Sequence, residues 1–139
     1  MILLEQNTVN DVFLTLKEKS TLITPEYLFK FVNDITFEEK IFLAANISTA
    51  TDRYDEFLIE LVSSNSENLY SGKIYLKDSG FYHYYVYEQE VSSPQNLDPT
   101  LTTTQVECGK VLVNGAVREI TYIEYPNTNT DDNYQYLRD

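Results

Sequence analysis

Short runs of strictly alternating residues, separated by Asn, Asp, Ser and Gly, recur along this chain and restrict it to a β-fold. In a strand successive side chains point to opposite faces, so a two-residue period marks a strand with one buried side. "DVFLTLKEK" places Val12, Leu14 and Leu16 on one face. "EYLFKFVND" sets Tyr27, Phe29 and Phe31 against Leu28, Lys30 and Val32, and "YDEFLIELV" aligns Phe57, Ile59 and Leu61 opposite Glu56 and Glu60. "GKIYLKD", "GFYHYYVYEQE", "QVECGKVLV" and "REITYIEY" continue the pattern. The stretch 80–90 is unusual in carrying rings on both faces: Tyr82, Tyr84 and Val86 share one, Phe81, His83, Tyr85 and Tyr87 the other.

The breaks between runs are turn-formers. Asn114-Gly115 has the chemistry of a type I′ turn and predicts an antiparallel hairpin between "KVLV" and "AVREITYIEY". Asn33-Asp34 opens another turn, "SSNSEN" separates two strands, and Pro94 and Pro99 bracket a loop. "TFEEKIFLAAN" has a capping-box spacing, Thr36 to Glu39, that competes for a short helix. A strand over 40–47 is the better reading, because so short a helix gains little alone.

About eight strands at this spacing, with no βαβ rhythm, predict an all-β fold, an antiparallel β-sandwich with extended terminal segments. With 139 residues the chain is long enough for one core without staples. The expected division is an N-terminal arm over 1–8, the sandwich over 9–125 and a C-terminal arm over 126–139. That last arm is polar but holds Tyr134, Tyr136 and Leu137, which suit docking.

Composition narrows function. A net charge of −12 with 10 Lys and Arg leaves no basic stripe for phosphates, so nucleic acid is not an expected partner, nor is an anionic membrane. No segment has the ~20 apolar residues of a membrane helix, and "ILLEQNTVND" lacks the basic start of a signal peptide, so synthesis in a cytoplasm is expected. Cys108 cannot form an internal disulfide, and its place in an alternating run predicts a buried, inert thiol. One Cys and one His, His83, do not make a zinc site or a positioned catalytic triad. "NTNTDDN" lacks the Gly and Glu of a calcium loop. The adjacent pairs Glu38-Glu39 and Asp131-Asp132 point apart on a strand. No catalytic residue, metal or cofactor is expected. The 12 Tyr and 7 Phe suit interfaces, and Phe81, His83, Tyr85, Tyr87, Tyr134, Tyr136 and Leu137 are the candidates.

Two resemblances sharpen this. Asp78-x-Gly80-x-Tyr82-x-Tyr84 resembles the D-x-G-x-Y-x-C signature at the E–F corner of immunoglobulin-like domains. It implies an Ig-like sandwich in which the Tyr82 hydroxyl bonds back to upstream backbone, with Tyr84 where antibody domains have cysteine. The runs "TPEYLFKFVND", "RYDEFLIELV", "GFYHYYVYEQE", "NLDPT" and "VECGKVLVNG" are together similar to small all-β virion structural proteins of tailed bacteriophages, including crAss-like phages. That similarity implies a virion location and a non-enzymatic auxiliary or decorating capsid role, with the major capsid protein or other virion proteins as partners and self-association possible. The alternative is a tail or baseplate adaptor contacting another virion protein or a host glycan. A carboxylate-pair hydrolase would require two close acids in one concave site.

Overall fold

The computed structural model describes residues 1–23, 25–91, 95–102 and 104–115. Eight strands form two sheets: β1 (Ile2–Glu5), β2 (Val9–Leu14), β3 (Pro25–Asn33), β4 (Glu39–Leu43), β5 (Asp55–Leu61), β6 (Lys73–Ile74), β7 (Gly80–Glu90) and β8 (Thr104–Asn114). The five-stranded sheet has the order β1-β8-β7-β3-β4 and the three-stranded sheet β2-β5-β6. The protein is an all-β sandwich. The "EKIFL" run is strand rather than helix and ends at Leu43, short of the expected Ile47. Beyond it, Asn46 bridges to Phe57 of the other sheet.

The core lies between the sheets and is built from the inward halves of the alternating runs. Val12, Leu14, Leu16, Tyr27, Phe29, Phe31, Phe57, Ile59 and Leu61 are all buried. Phe29 stacks on Phe42 with ring centroids 5.2 Å apart and meets Phe57 of the opposite sheet edge-on at 5.0 Å. Such ring pairs add about 0.5–1.5 kcal/mol beyond their buried area and fix how the layers face each other.

Three expectations need correction. The sheets are mixed rather than antiparallel, since β1 runs parallel to β8 and β6 parallel to β5. The expected N-terminal arm is a sheet strand over Ile2–Glu5, with Ile2 and Leu4 in the core. "ILLE" is too short to show its period clearly, and its partner lies over a hundred residues away. The hairpin at Asn114-Gly115 does not have a free strand to pair with. Val111 to Asn114 pair with β1, and Tyr82 and Gly80 of β7 pair with Val111 and Val113, so both edges of β8 are filled there. Gly115 is also absent from the positive-φ positions among the described residues. Its expected partner run, residues 116–125, lies outside the described residues, as do Pro94 and the C-terminal arm.

Cys108 is the fourth correction: it is exposed. Val86 pairs with Glu107 but Tyr87 with Gln105, so Val106 is an extra residue in β8. A bulge of this kind reverses the alternation beyond it. Val106 points inward, yet so do Val111 and Val113, while Cys108, Lys110 and Leu112 take the outer side.

Gly109 pairs with Tyr84 across the β7–β8 ladder and lies beneath its ring. A Cβ at Gly109 would lie 2.8 Å from the Tyr84 ring, which is itself buried and has no room to retreat. Gly109→Ala is therefore expected to destabilise the fold by about 1–3 kcal/mol, as overpacking does. A lowered denaturation midpoint at unchanged slope would show it; an unchanged midpoint would mean the ring is free to move.

Candidate functional site: an apolar surface on the five-stranded sheet

β7 resolves the rings on its two faces into two roles. Tyr82, Tyr84 and Val86 are buried, while Phe81 and His83 are exposed and Tyr85 and Tyr87 half-buried. At the start of the strand the Tyr82 hydroxyl donates to the Asp78 carbonyl oxygen at 2.6 Å, tying the corner. Gly80 has φ +120°, a conformation that a side chain would strain, although a Cβ there would meet nothing. The corner thus requires glycine for its backbone, and Tyr82 aims inward while Phe81 aims outward.

Tyr84 shows the cost of the inward choice. Burial first, then the neighbouring Glu107 carboxylate, pushes its hydroxyl up to about 12. The folded protein then holds this proton more tightly than the unfolded chain. Its contribution to stability is complete below pH ~10 and is lost as pH rises through about 12. Tyr84→Phe should flatten the alkaline decline between those values, read by denaturation at fixed pH; an unaltered slope would assign the decline to other groups.

The outer face divides into a covered and an uncovered half. Toward the end of β7, Gln89 is buried and donates to Glu26 Oε1 at 3.2 Å and to the Asn96 carbonyl at 3.1 Å. Gln95 adds a bond to Glu26 Oε2, so the chain's own 95–98 loop is tethered to this half. Leu28 and Leu43, opposite each other there, are buried, and Tyr87 beside Leu28 is half-buried.

Among the described residues, nothing comparable is tethered over the other half. Leu3, Leu112 and Phe81 form a row across β1, β8 and β7, with Leu3 59% and Phe81 49% exposed. Asp34 links this row to the β3–β4 turn. Its N–H donates to the Phe81 carbonyl, and its carboxylate meets Lys110 Nζ at 2.7 Å and His83 Nδ1 at 2.5 Å. Lys110, then His83, hold that carboxyl below the usual range. Lys110 also lies over the Phe81 ring, 5.3 Å from its centroid.

The turn itself contributes two residues that the alternation did not single out. Ile35 is 85% and Phe37 74% exposed. The loop carrying them is closely held: Asn33 Oδ1 accepts from Ile35 and Thr36 N–H, Phe37 N–H donates to Asn33 O, and Asn33 N–H donates to Glu38 O. Phe37 has φ 61°, left-handed backbone that is a marked outlier for a bulky residue. A strained backbone presenting an apolar ring to water is a feature of binding sites. The Thr36-Phe37-Glu38-Glu39 spacing is compatible with a helix start; these residues form the β3–β4 turn and the start of β4 instead.

Other polar groups are structural. Glu88, fully buried, accepts from Thr21 N–H and Oγ1 and from Leu22 N–H, and Asp55 accepts from Leu16 N–H at 2.8 Å and Asn46 Nδ2 at 2.6 Å. Each carboxylate therefore serves as an acceptor for loop backbone that would otherwise be buried without a partner. Among the described residues, the acidic side chains of Asp11 and Glu56 meet, and their hydrogen bond raises the Glu56 carboxyl, but they stand on the outer face of the three-stranded sheet. A cleft of about 380 Å³ beside the corner is lined by Glu38, Glu39, Lys40, Lys77, Tyr75 and Tyr82, charges of both signs. Among the described residues no three His, Cys, Asp or Glu side chains converge on a metal-sized site, and no helix is long and apolar enough to cross a membrane. Tyr134, Tyr136 and Leu137 lie outside the described residues.

Phe37→Gly separates display from packing. It removes the left-handed strain of roughly 1 kcal/mol and no buried contact, so thermal stability should hold or rise. A fall like that of a core truncation would show that the ring is packed. Comparison with known proteins gives no matching family model, curated protein or solved structure.

Proposed function

We propose that this chain is a non-enzymatic structural protein of a bacteriophage virion, an auxiliary protein that decorates the capsid through the open half of its five-stranded sheet. The observation that carries the reading is exposed apolar surface: Leu3 and Phe81 on the sheet, with Lys110, Asp34 and His83 beside Phe81, and Ile35 and Phe37 in the turn that follows Asp34. Large apolar side chains left exposed beside charged groups are the pattern of a protein-binding surface. The particle as the setting rests on the resemblance of the quoted strand and loop runs to small virion structural proteins. An Ig-like reading of the sandwich is supported by the Tyr82–Asp78 corner bond and by the strand order of the larger sheet.

Mechanistically such a protein works by burial. Each ring taken from water contributes about 2–3 kcal/mol at ~25 cal/mol per Å², before the ordering costs of association. The backbones that carry Phe37 and Phe81 are already hydrogen-bonded in place, so association has mainly their side chains to order.

The test is incorporation into particles. Wild-type protein should copurify with virions at an abundance approaching that of the major capsid protein, and Phe37→Gly/Phe81→Ser should lower incorporation at least ~10-fold while thermal unfolding shifts little. Recovery at only a few copies per particle would overturn decoration in favour of the tail or baseplate adaptor. Undiminished incorporation of the double variant would remove this surface from the contact.

A further inference from the structure

The edge of β2 carries a second inference, independent of the virion reading. Among the described residues β2 pairs only with β5. Leu61 N–H donates to Thr8 O, which fixes the phase: Asn10, Val12 and Leu14 exchange backbone bonds with β5. Glu60 and Val62 N–H instead donate to Gly72 and Ile74 on the other side of β5, as that phase requires. The N–H and C=O groups of Val9, Asp11 and Phe13 therefore point away from the sheet. The side chains of Val9 and Phe13 are 53% and 58% exposed. An edge of this length, with apolar side chains on either side of Asp11, is a template for another strand.

The chain contains a strand that needs an edge. Residues 118–125, "REITYIEY", alternate and are rich in β-branched and aromatic types. The expected partner, β8, has both edges filled by β1 and β7. β8 ends at Asn114 beside Glu5, at the end of the sandwich where the 6–8 turn begins β2. A chain folding back from Gly115 thus runs in the same direction as β2, and only Ala116 and Val117 intervene before the alternating run.

The other edges are poorer acceptors. The Asn10 amide occupies β1 at Glu5, accepting from its N–H at 3.0 Å and donating to its O at 3.2 Å. β4 lies beyond β7 and β3, and β6 on the far side of β5. We propose that residues 118–125 of the same chain add to the free edge of β2 as a parallel strand, giving the smaller sheet a fourth strand. A tether this short gives an effective concentration on the order of millimolar, which favours the chain's own segment over a neighbour's. The edge is then closed to other copies, and association is left to side-chain surfaces.

Amide hydrogen exchange on the full chain, resolved by NMR, tests this. Asp11 and Phe13 N–H should be protected alongside Asn10 and Val12, to the same degree across a 100-fold dilution. Thr121→Pro should speed exchange at Asp11 and Phe13 by ~10-fold or more, while Asn10, Val12 and Leu14, bonded to β5, keep their protection. Unprotected Asp11 and Phe13 in the wild type would overturn the proposal. Protection that disappears on dilution would assign the strand to a neighbouring copy, and protection unaffected by Thr121→Pro would assign it to another segment. If the proline variant does not fold, the wild-type protection and its dilution series decide alone.

Discussion

The register of β7 is the constraint on which the rest of the structure depends. This strand pairs with β3 from Pro25↔Glu90 to Asn33↔Tyr82 and with β8 over nearly its whole length, so it fixes the centre of the larger sheet. A slip of one residue would put Phe81 and His83 into the core and Tyr82 and Tyr84 into water. The Tyr82 hydroxyl on Asp78 O and the positive φ of Gly80 pin that register at the strand's start. Glu88 pins it near the other end, because its carboxylate can satisfy Thr21 and Leu22 only from the inner face.

That register also sorts the aromatic residues by task. The inward rings join a core whose two layers meet through Phe29 and Phe57. The outward ones fall in a face whose halves differ: one is tethered to the 95–98 loop through Gln89, and the other, among the described residues, leaves Phe81 and Leu3 exposed and Leu112 half-buried. The Asn33 network holds the turn that exposes Ile35 and Phe37, at the expense of a strained Phe37 backbone. Stability of the domain and exposure of the patch thus rest on different residues, which is what lets the surface be proposed as the working part.

Most of the layer structure was legible in the sequence. Val12, Leu14, Phe29, Phe31, Phe57 and Ile59 are buried as their alternation requires, and a period of two is a local property that needs no knowledge of partners. The candidate surface was legible in part. Phe81 and His83 follow from the same alternation, but Ile35 and Phe37 do not, since they sit in a turn whose shape comes from Asn33 hydrogen bonds.

By itself, then, the sequence determined that the chain is a β-sandwich and which side of most strands faces the core, because side-chain direction follows from backbone pleating alone. Only the tertiary structure decided what depends on pairing across long separations. The bulge at Val106 turned Cys108 outward, and the docking of β1 on β8 closed the edge that Asn114-Gly115 was expected to use. Both are outcomes of which strand finds which edge, and edges do not exist until the sheet has formed.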